Sequence, residues 1–174
     1  MTFERIDSRT EWEGRIAKVR VDRVRFDDGE EAEREVVEHP GAVAIVAHDG
    51  ERLYMVRQPR EAVGEQGLLE LPAGKLDDSA EDEQATAERE LAEEIGKGAR
   101  SWEKLASFYT TPGFADEEMH LYLATDLYDR EAEADENERI EVVQVPMQDL
   151  DEVIRACRDS KSLVGLLWFR AYRR

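Results

Sequence analysis

The sequence predicts an α/β fold, in which buried strands pack against helices and antiparallel strands precede them. Three observations carry that expectation. Ala42 to Ala47 is an unbroken apolar run, the pattern of a strand buried on both faces. Trp12 to Phe26 and Met119 to Ala124 alternate apolar with polar residues, as strands with two unlike faces do. Ala87, Leu91 and Ile95 recur at helical spacing, and Gly96 follows them as a residue able to take positive φ and close the helix.

Taken in order, Ile16, Val19, Val21 and Val24 interleave with charges and predict one or two antiparallel strands between Trp12 and Phe26. Asp27-Asp28-Gly29 is a turn, and Glu35 to Glu38 returns as a strand. The buried run after His39-Pro40-Gly41 turns at Asp49-Gly50 into a strand from Leu53 to Gln58. Glu65-Gln66-Gly67 reads as a turn, and Leu68 to Leu71 as a short strand delivering Pro72-Ala73-Gly74. Trp102 to Thr111 and Met119 to Ala124 are further strands; His120 reads as a structural or surface histidine. Asp126 to Arg139 reads as a long acidic loop, of a length that tends to be functional or mobile. Val142 to Val145 closes the sheet before Pro146, and Asp149–Cys157 and Leu163–Tyr172 read as amphipathic helices. Arg170, Arg173 and Arg174 suit the negative end of the last helix dipole.

Composition bounds the function. The chain has 174 residues, enough for a real core, and 41% of them are apolar, as a folded protein requires. A formal net charge of −18 argues against nonspecific binding to nucleic acid or to an anionic membrane, because both need basic surface. No long apolar run and no signal-peptide core follow Met1, and the single Cys157 excludes an internal disulfide framework, so a cytoplasmic location is expected. Cys157 shares helical spacing with Val153 and Ile154 and reads as a packed thiol.

The densest chemistry lies between Leu71 and Gly96. At about 100° per residue, Glu90, Glu93 and Glu94 fall in one arc of the helix. Like carboxylates so placed weaken a helix by a few tenths of a kcal/mol per pair. A hard divalent cation such as Mg²⁺ would neutralise that repulsion through oxygen ligands; a solvated acidic face is the alternative.

The spacing of Gly74, Glu81, Arg89-Glu90, Glu93-Glu94 and Gly96 resembles the Nudix box, the signature of hydrolases acting on a nucleoside diphosphate linked to another group. Two departures stand out. Six residues separate Gly74 from Glu81 where the pattern has five, and Lys97 stands where an aliphatic residue is usual. The insertion falls in a loop, where extra length costs little. Pro112, sixteen residues beyond Gly96, and the run Pro112-Gly113-Phe114-Ala115-Asp116-Glu117 resemble the ADP-ribose pyrophosphatase subfamily.

That resemblance implies a Nudix α/β/α sandwich with a mixed sheet over residues 41–174 and an N-terminal antiparallel β extension over 1–40 that forms a homodimer. It implies Mg²⁺, with Mn²⁺ a substitute, held by Glu90 and Glu94 with help from Glu93 and the carbonyl of Ala73. Arg89 would orient the glutamates, and Glu81 would start or support the helix. Arg57 and Arg60, where simple charge balance is the alternative, would meet substrate phosphate; Glu70, Phe114, Asp116 and Glu117 would complete the substrate contacts. In the loop 134–138, Glu136 is the implied base, with Glu93 the alternative, and Glu138 a further metal ligand. The implied reaction is hydrolysis of ADP-ribose to AMP and ribose 5-phosphate. Another nucleoside diphosphate sugar is the alternative substrate, and a ligand-sensing module without turnover the alternative class.

Overall fold

The computed structural model describes residues 2–15, 17–77, 82–132 and 139–172. Strands β1 (Phe3–Glu13), β2 (Lys18–Phe26) and β3 (Glu31–Glu38) form an antiparallel sheet in that order. A second, seven-stranded sheet sets β10 (Glu141–Pro146), β5 (Arg52–Arg60), β4 (Ala42–His48), β9 (Glu118–Asp129) and β8 (Lys97–Tyr109) side by side. On this sheet β6 (Glu65–Glu70) pairs with β5, and β7 (Ala73–Lys75) with β4. The β4–β9 pair is parallel and the others are antiparallel, so the sheet is mixed.

Side-chain alternation on β4 builds two cores. Ala42, Ala44 and Val46 face Leu150 of α2 (Leu150–Ala156) and Leu166 and Phe169 of α3 (Ser160–Tyr172). Val43, Ile45 and Ala47 face Ala87, Leu91 and Ile95 of α1 (Glu83–Ile95). The apolar run is unbroken because both faces of β4 are covered, which makes the domain an α/β/α sandwich. Each fully buried side chain such as Leu91 contributes about 1.5–3 kcal/mol relative to exposure.

Helix α1 is delimited at both ends. Asp82 caps its start by accepting the Ala85 N–H at 2.9 Å. Gly96 ends it at φ 68°, donating its N–H to the Ala92 carbonyl at 3.0 Å. β8 begins at once, so Lys97 lies in a strand and outside the helix.

The small sheet docks on the segment before β9. Val37 N–H donates to the Phe114 carbonyl at 2.8 Å, and Asp116 N–H to the Val37 carbonyl at 3.2 Å. Arg20 ties the two together through Asp22, Glu38 and Asp116.

Several boundaries differ from expectation, each for a physical reason. β1 starts at Phe3 although its sequence does not alternate cleanly; almost every residue in it is exposed, so no buried face imposes a period. Ile16 lies outside the described residues. Glu65-Gln66-Gly67, expected as a turn, lies within β6; the turn comes earlier, at Gly64, φ 71°. β9 extends to Asp129, into the expected loop, because Lys97 to Ser101 of β8 give it ladder partners. α3 begins at Ser160 and not at Leu163, and Arg173 and Arg174 lie outside the described residues. Cys157 ends α2 half-buried, and burial pushes its thiol pKa up, as a packed thiol requires.

Candidate active-site cleft

Helix α1 presents Arg89, Glu90, Glu93 and Glu94 to a cleft of about 450 Å³. Its apolar stripe seats the helix on the sheet, and helical spacing then forces these residues to the open side. Strand β7, with Ala73 and Gly74 where the sequence suggested a turn, forms the adjoining wall. Ala73 N–H donates to Glu94 Oε2 at 2.9 Å, fixing one carboxylate oxygen against the backbone. Arg89 Nη1 lies 2.8 Å from Glu90 Oε1 and 2.9 Å from Glu93 Oε2. Burial works against the Arg89 charge, but Glu90 and Glu93 outweigh it and raise its pKa.

Gly74 is required by space. A Cβ there would lie 1.9 Å from Glu90 Cδ and 2.0 Å from its Oε1. The missing side chain is what allows the Glu90 carboxylate to rest against β7.

The opposite wall carries Gln58 and Arg60 of β5, and Lys161 from the first turn of α3. Arg60 donates to Glu70 from Nε at 2.7 Å and from Nη2 at 2.8 Å, a bidentate fork. Lys161 donates to the same carboxylate and lies 3.0 Å from Asp159 Oδ2. Burial alone would push the Glu70 carboxyl up, yet Arg60 and Lys161 outweigh it and hold its pKa below the usual range. Glu117 also lines the cleft, accepting from Thr110 Oγ1 at 2.5 Å. His39, Lys75 and Asp77 are shared with a larger cavity of about 780 Å³ beneath the N-terminal sheet.

That second cavity is bordered by Glu83 and His120, which invite comparison with a nucleophilic triad. Ser107 Oγ is 2.9 Å from His120 Nδ1, and Glu83 Oε1 is 3.3 Å from the same nitrogen. A triad needs serine and acid on opposite ring nitrogens, so this cluster has the wrong geometry for one. Glu83 also accepts from Lys104 and, at 3.2 Å, from Tyr122, whose buried hydroxyl has its pKa pushed up to about 12. The group fastens the first turn of α1 to β8 and β9. His120 is accordingly structural.

The structure therefore brings Ala73, Arg89, Glu90, Glu93, Glu94, Arg60 and Glu117 to one cleft. Four other candidate residues are elsewhere. Arg57 points away, half-exposed, 3.7 Å from Glu141, because its neighbours on β5 alternate faces. Glu70 is buried, with both oxygens taken by Arg60 and Lys161, so it supports the wall from behind. Phe114 is exposed beside β3 at a different cavity. Asp116 bonds Arg20 and the His39 N–H, serving the junction between sheets. Glu81, Glu136 and Glu138 lie outside the described residues. Lys161, with His39, Gln58, Lys75 and Asp77, is one of the cleft residues that the sequence reading missed. Asp159 two residues before it caps α3 through Ser162, an Asp-x-x-Ser start signal, but nothing local shows that this turn reaches β6.

The donor set suits a hard divalent cation, since the α1 wall offers carboxylate oxygens and Gly74 leaves space at Glu90. Among the described residues, no three acidic, histidine or cysteine side chains are already drawn into one ligand group. Arg89 stands between two of the glutamates instead.

The comparisons with known proteins agree with this geometry. The methanol dehydrogenase activator of Bacillus methanolicus is 39% identical over 175 residues, covering 97% of this chain and 94% of that protein. The ADP-ribose pyrophosphatase of Bacillus subtilis strain 168 is 38% identical over 162 residues, covering 90% and 86%. The crystal structure of an ADP compounds hydrolase superposes with a TM-score of 0.86 at 23% identity, over 99% of this chain and 94% of that one, which establishes a shared fold. No helix among the described residues is long and apolar enough to cross a membrane. The NUDIX domain matches residues 37–164, a stretch that contains both α1 and β7, and the chain belongs to the NUDIX family.

Proposed function

We propose that the chain is a Mg²⁺-dependent hydrolase that cleaves ADP-ribose to AMP and ribose 5-phosphate. The observation that carries this reading is a cleft with Glu90, Glu93 and Glu94 on one wall and Arg60 with Lys161 on the other. A diphosphate needs both, cations for its oxygens and carboxylates to hold the metal. The likeness to a named ADP-ribose pyrophosphatase supports the substrate class. The activator's name describes an effect on another enzyme and specifies no bond to be broken.

Glu90 and Glu94 would hold the metal, with Glu93 and the Ala73 carbonyl assisting. When bound, the metal screens phosphate charge and lowers the pKa of a coordinated water. The residues of the chain do the rest. Arg89 keeps Glu90 and Glu93 at fixed separation. Ala73 N–H holds Glu94. Arg60 retains both hydrogens of Nη1 for a phosphate oxygen after its bidentate bond to Glu70. Water adds to one phosphorus, the bridging P–O bond breaks, and the other phosphate leaves; the water proton goes to a carboxylate, assigned by resemblance to Glu136. Glu138 is the implied ligand that joins the metal with substrate present.

The small sheet, residues 1–40 with its exposed Phe3 and Trp12, is the proposed homodimer surface. Light scattering at micromolar concentration should give a dimer; a monomer removes that part of the reading.

The substrate is tested by product analysis over ADP-ribose, GDP-mannose, a nucleoside triphosphate and a dinucleoside polyphosphate, with Mg²⁺ and with Mn²⁺. ADP-ribose should give the highest kcat/KM and yield AMP. Preferential turnover of a triphosphate would overturn the substrate while leaving the fold untouched.

A further inference from the structure

Lys161 reaches the cleft from the first turn of α3, and the Glu70 carboxylate it meets lies 91 residues earlier in the chain. Its side chain is 13% exposed and is gripped from two sides, by Glu70 and by Asp159 Oδ2 at 3.0 Å. Both grips are themselves fixed. Arg60 forks onto Glu70. Asp159 accepts from Ser162 N at 3.0 Å and Ser162 Oγ at 2.6 Å, and that hydroxyl oxygen accepts from Leu71 N at 2.7 Å. The ammonium is thus held in place before any ligand arrives, which removes much of the ordering cost of using a long flexible side chain. An ammonium has three donors. Glu70 and Asp159 take two, and one is left for a third acceptor.

Arg60, forked on the same Glu70, is also aimed into the cleft, whereas Arg89 is more fully committed and Lys75 less firmly held. Arg89 Nη1 is bonded to both Glu90 and Glu93. Lys75 is exposed on β7. We propose that Lys161 is a substrate-binding residue that donates to a phosphate oxygen of a nucleoside diphosphate, with Glu70 and Asp159 as its positioning residues. The proposal rests on the nucleoside diphosphate reading of this cleft. It turns Glu70 from a residue expected to touch substrate into one that aims two cations at it.

The test compares Lys161→Met, Lys161→Arg and Ser162→Ala with wild type by calorimetric titration with inorganic pyrophosphate in Mg²⁺, by ADP-ribose kinetics and by Tm. Methionine keeps the unbranched stem and removes the charge. Lys161→Met should bind pyrophosphate about tenfold or more weakly, the loss of one charge-assisted hydrogen bond. KM for ADP-ribose should rise in parallel, and Lys161→Arg should recover part of both. Ser162→Ala breaks the bond from Leu71 and loosens Asp159, one of the two grips, while Glu70 still holds the ammonium, so it should lower Tm and weaken pyrophosphate binding less than Lys161→Met does. Equal pyrophosphate binding by wild type and Lys161→Met, or no binding by wild type, overturns the role of Lys161. A Lys161→Met with lowered Tm and unchanged pyrophosphate affinity overturns it also. Charge-dependent pyrophosphate binding without hydrolysis of any nucleoside diphosphate sinks the proposed reaction and leaves Lys161 as an anion-binding residue.

Discussion

On the α1 wall of the cleft, Glu90 and Glu93 share one nitrogen of Arg89 and keep 12% and 30% of their side-chain surface in contact with solvent. On the opposite wall Glu70 keeps 1% and gives both oxygens to Arg60 and Lys161. The same side chain therefore serves two ends. Carboxylates that share a single guanidinium nitrogen can exchange that partner for a metal. A carboxylate buried and saturated by two cations cannot, because removing either partner leaves charge stranded in low dielectric. Burial alone does not separate ligand from support here, since Glu94 of the α1 wall is also buried; the pair of cations that saturates Glu70 does.

The comparison breaks most sharply on the α1 wall. Glu90→Gln and Glu94→Gln keep size and helix propensity but remove a charged oxygen. Each should lower kcat by about a hundredfold or more, the scale of other precisely placed electrostatic groups, with Tm near wild type. Turnover close to wild type in either variant would remove that residue from the ligand set. A smaller effect is expected when the space around Glu90 is filled. Gly74→Ala places a Cβ where Glu90 Cδ now lies, and the flexible end of Glu90 is what must yield. The fold should survive, while kcat falls by about tenfold because a shift of this kind misplaces a reacting group. A Gly74→Ala enzyme with normal kcat and a lowered Tm would mean that the backbone moves and Glu90 does not.

Much of the α1 wall was legible in the sequence, for a reason that does not extend to the other wall. Glu90, Glu93 and Glu94 are neighbours through helical period alone, and Ala87, Leu91 and Ile95 say which side of the helix is buried. The apolar run of β4 was legible for the same reason, since local pattern reports burial directly. The Arg60–Glu70–Lys161 group joins a strand end, its hairpin partner and a distant helix, and no local period connects them. Arg57 and Arg60 look alike in sequence, but their odd spacing on β5 puts them on opposite faces, with Gln58 and Arg60 toward the cleft and Arg57 outside. β1 escaped because a strand exposed on both faces carries no burial pattern to read.

The last prediction uses acid to separate the two walls. Glu70 has its folded pKa held below the ordinary value of about 4.3 for a glutamate. A carboxyl with a depressed folded pKa contributes stability that is fully present above its unfolded pKa and is lost as pH falls through the folded value. Glu70→Gln removes that contribution at every pH. The groups that face Glu70 are Arg60 and Lys161, and both stay charged across this range. Wild type should therefore exceed Glu70→Gln by about 2 kcal/mol at neutral pH, less than a fully buried pair would lose because Arg60 keeps access to water. The gap should hold down to about pH 4.3 and close below it, as the wild-type carboxyl takes up its proton. Glu90→Gln supplies the contrast: thinning a cluster of like charges should leave neutral-pH stability nearly unchanged or slightly raised. Thermal unfolding of the three proteins between pH 7 and pH 3 measures all of this. A gap for Glu70→Gln that stays constant as pH falls would mean that its packing, and not its charge, supports the wall.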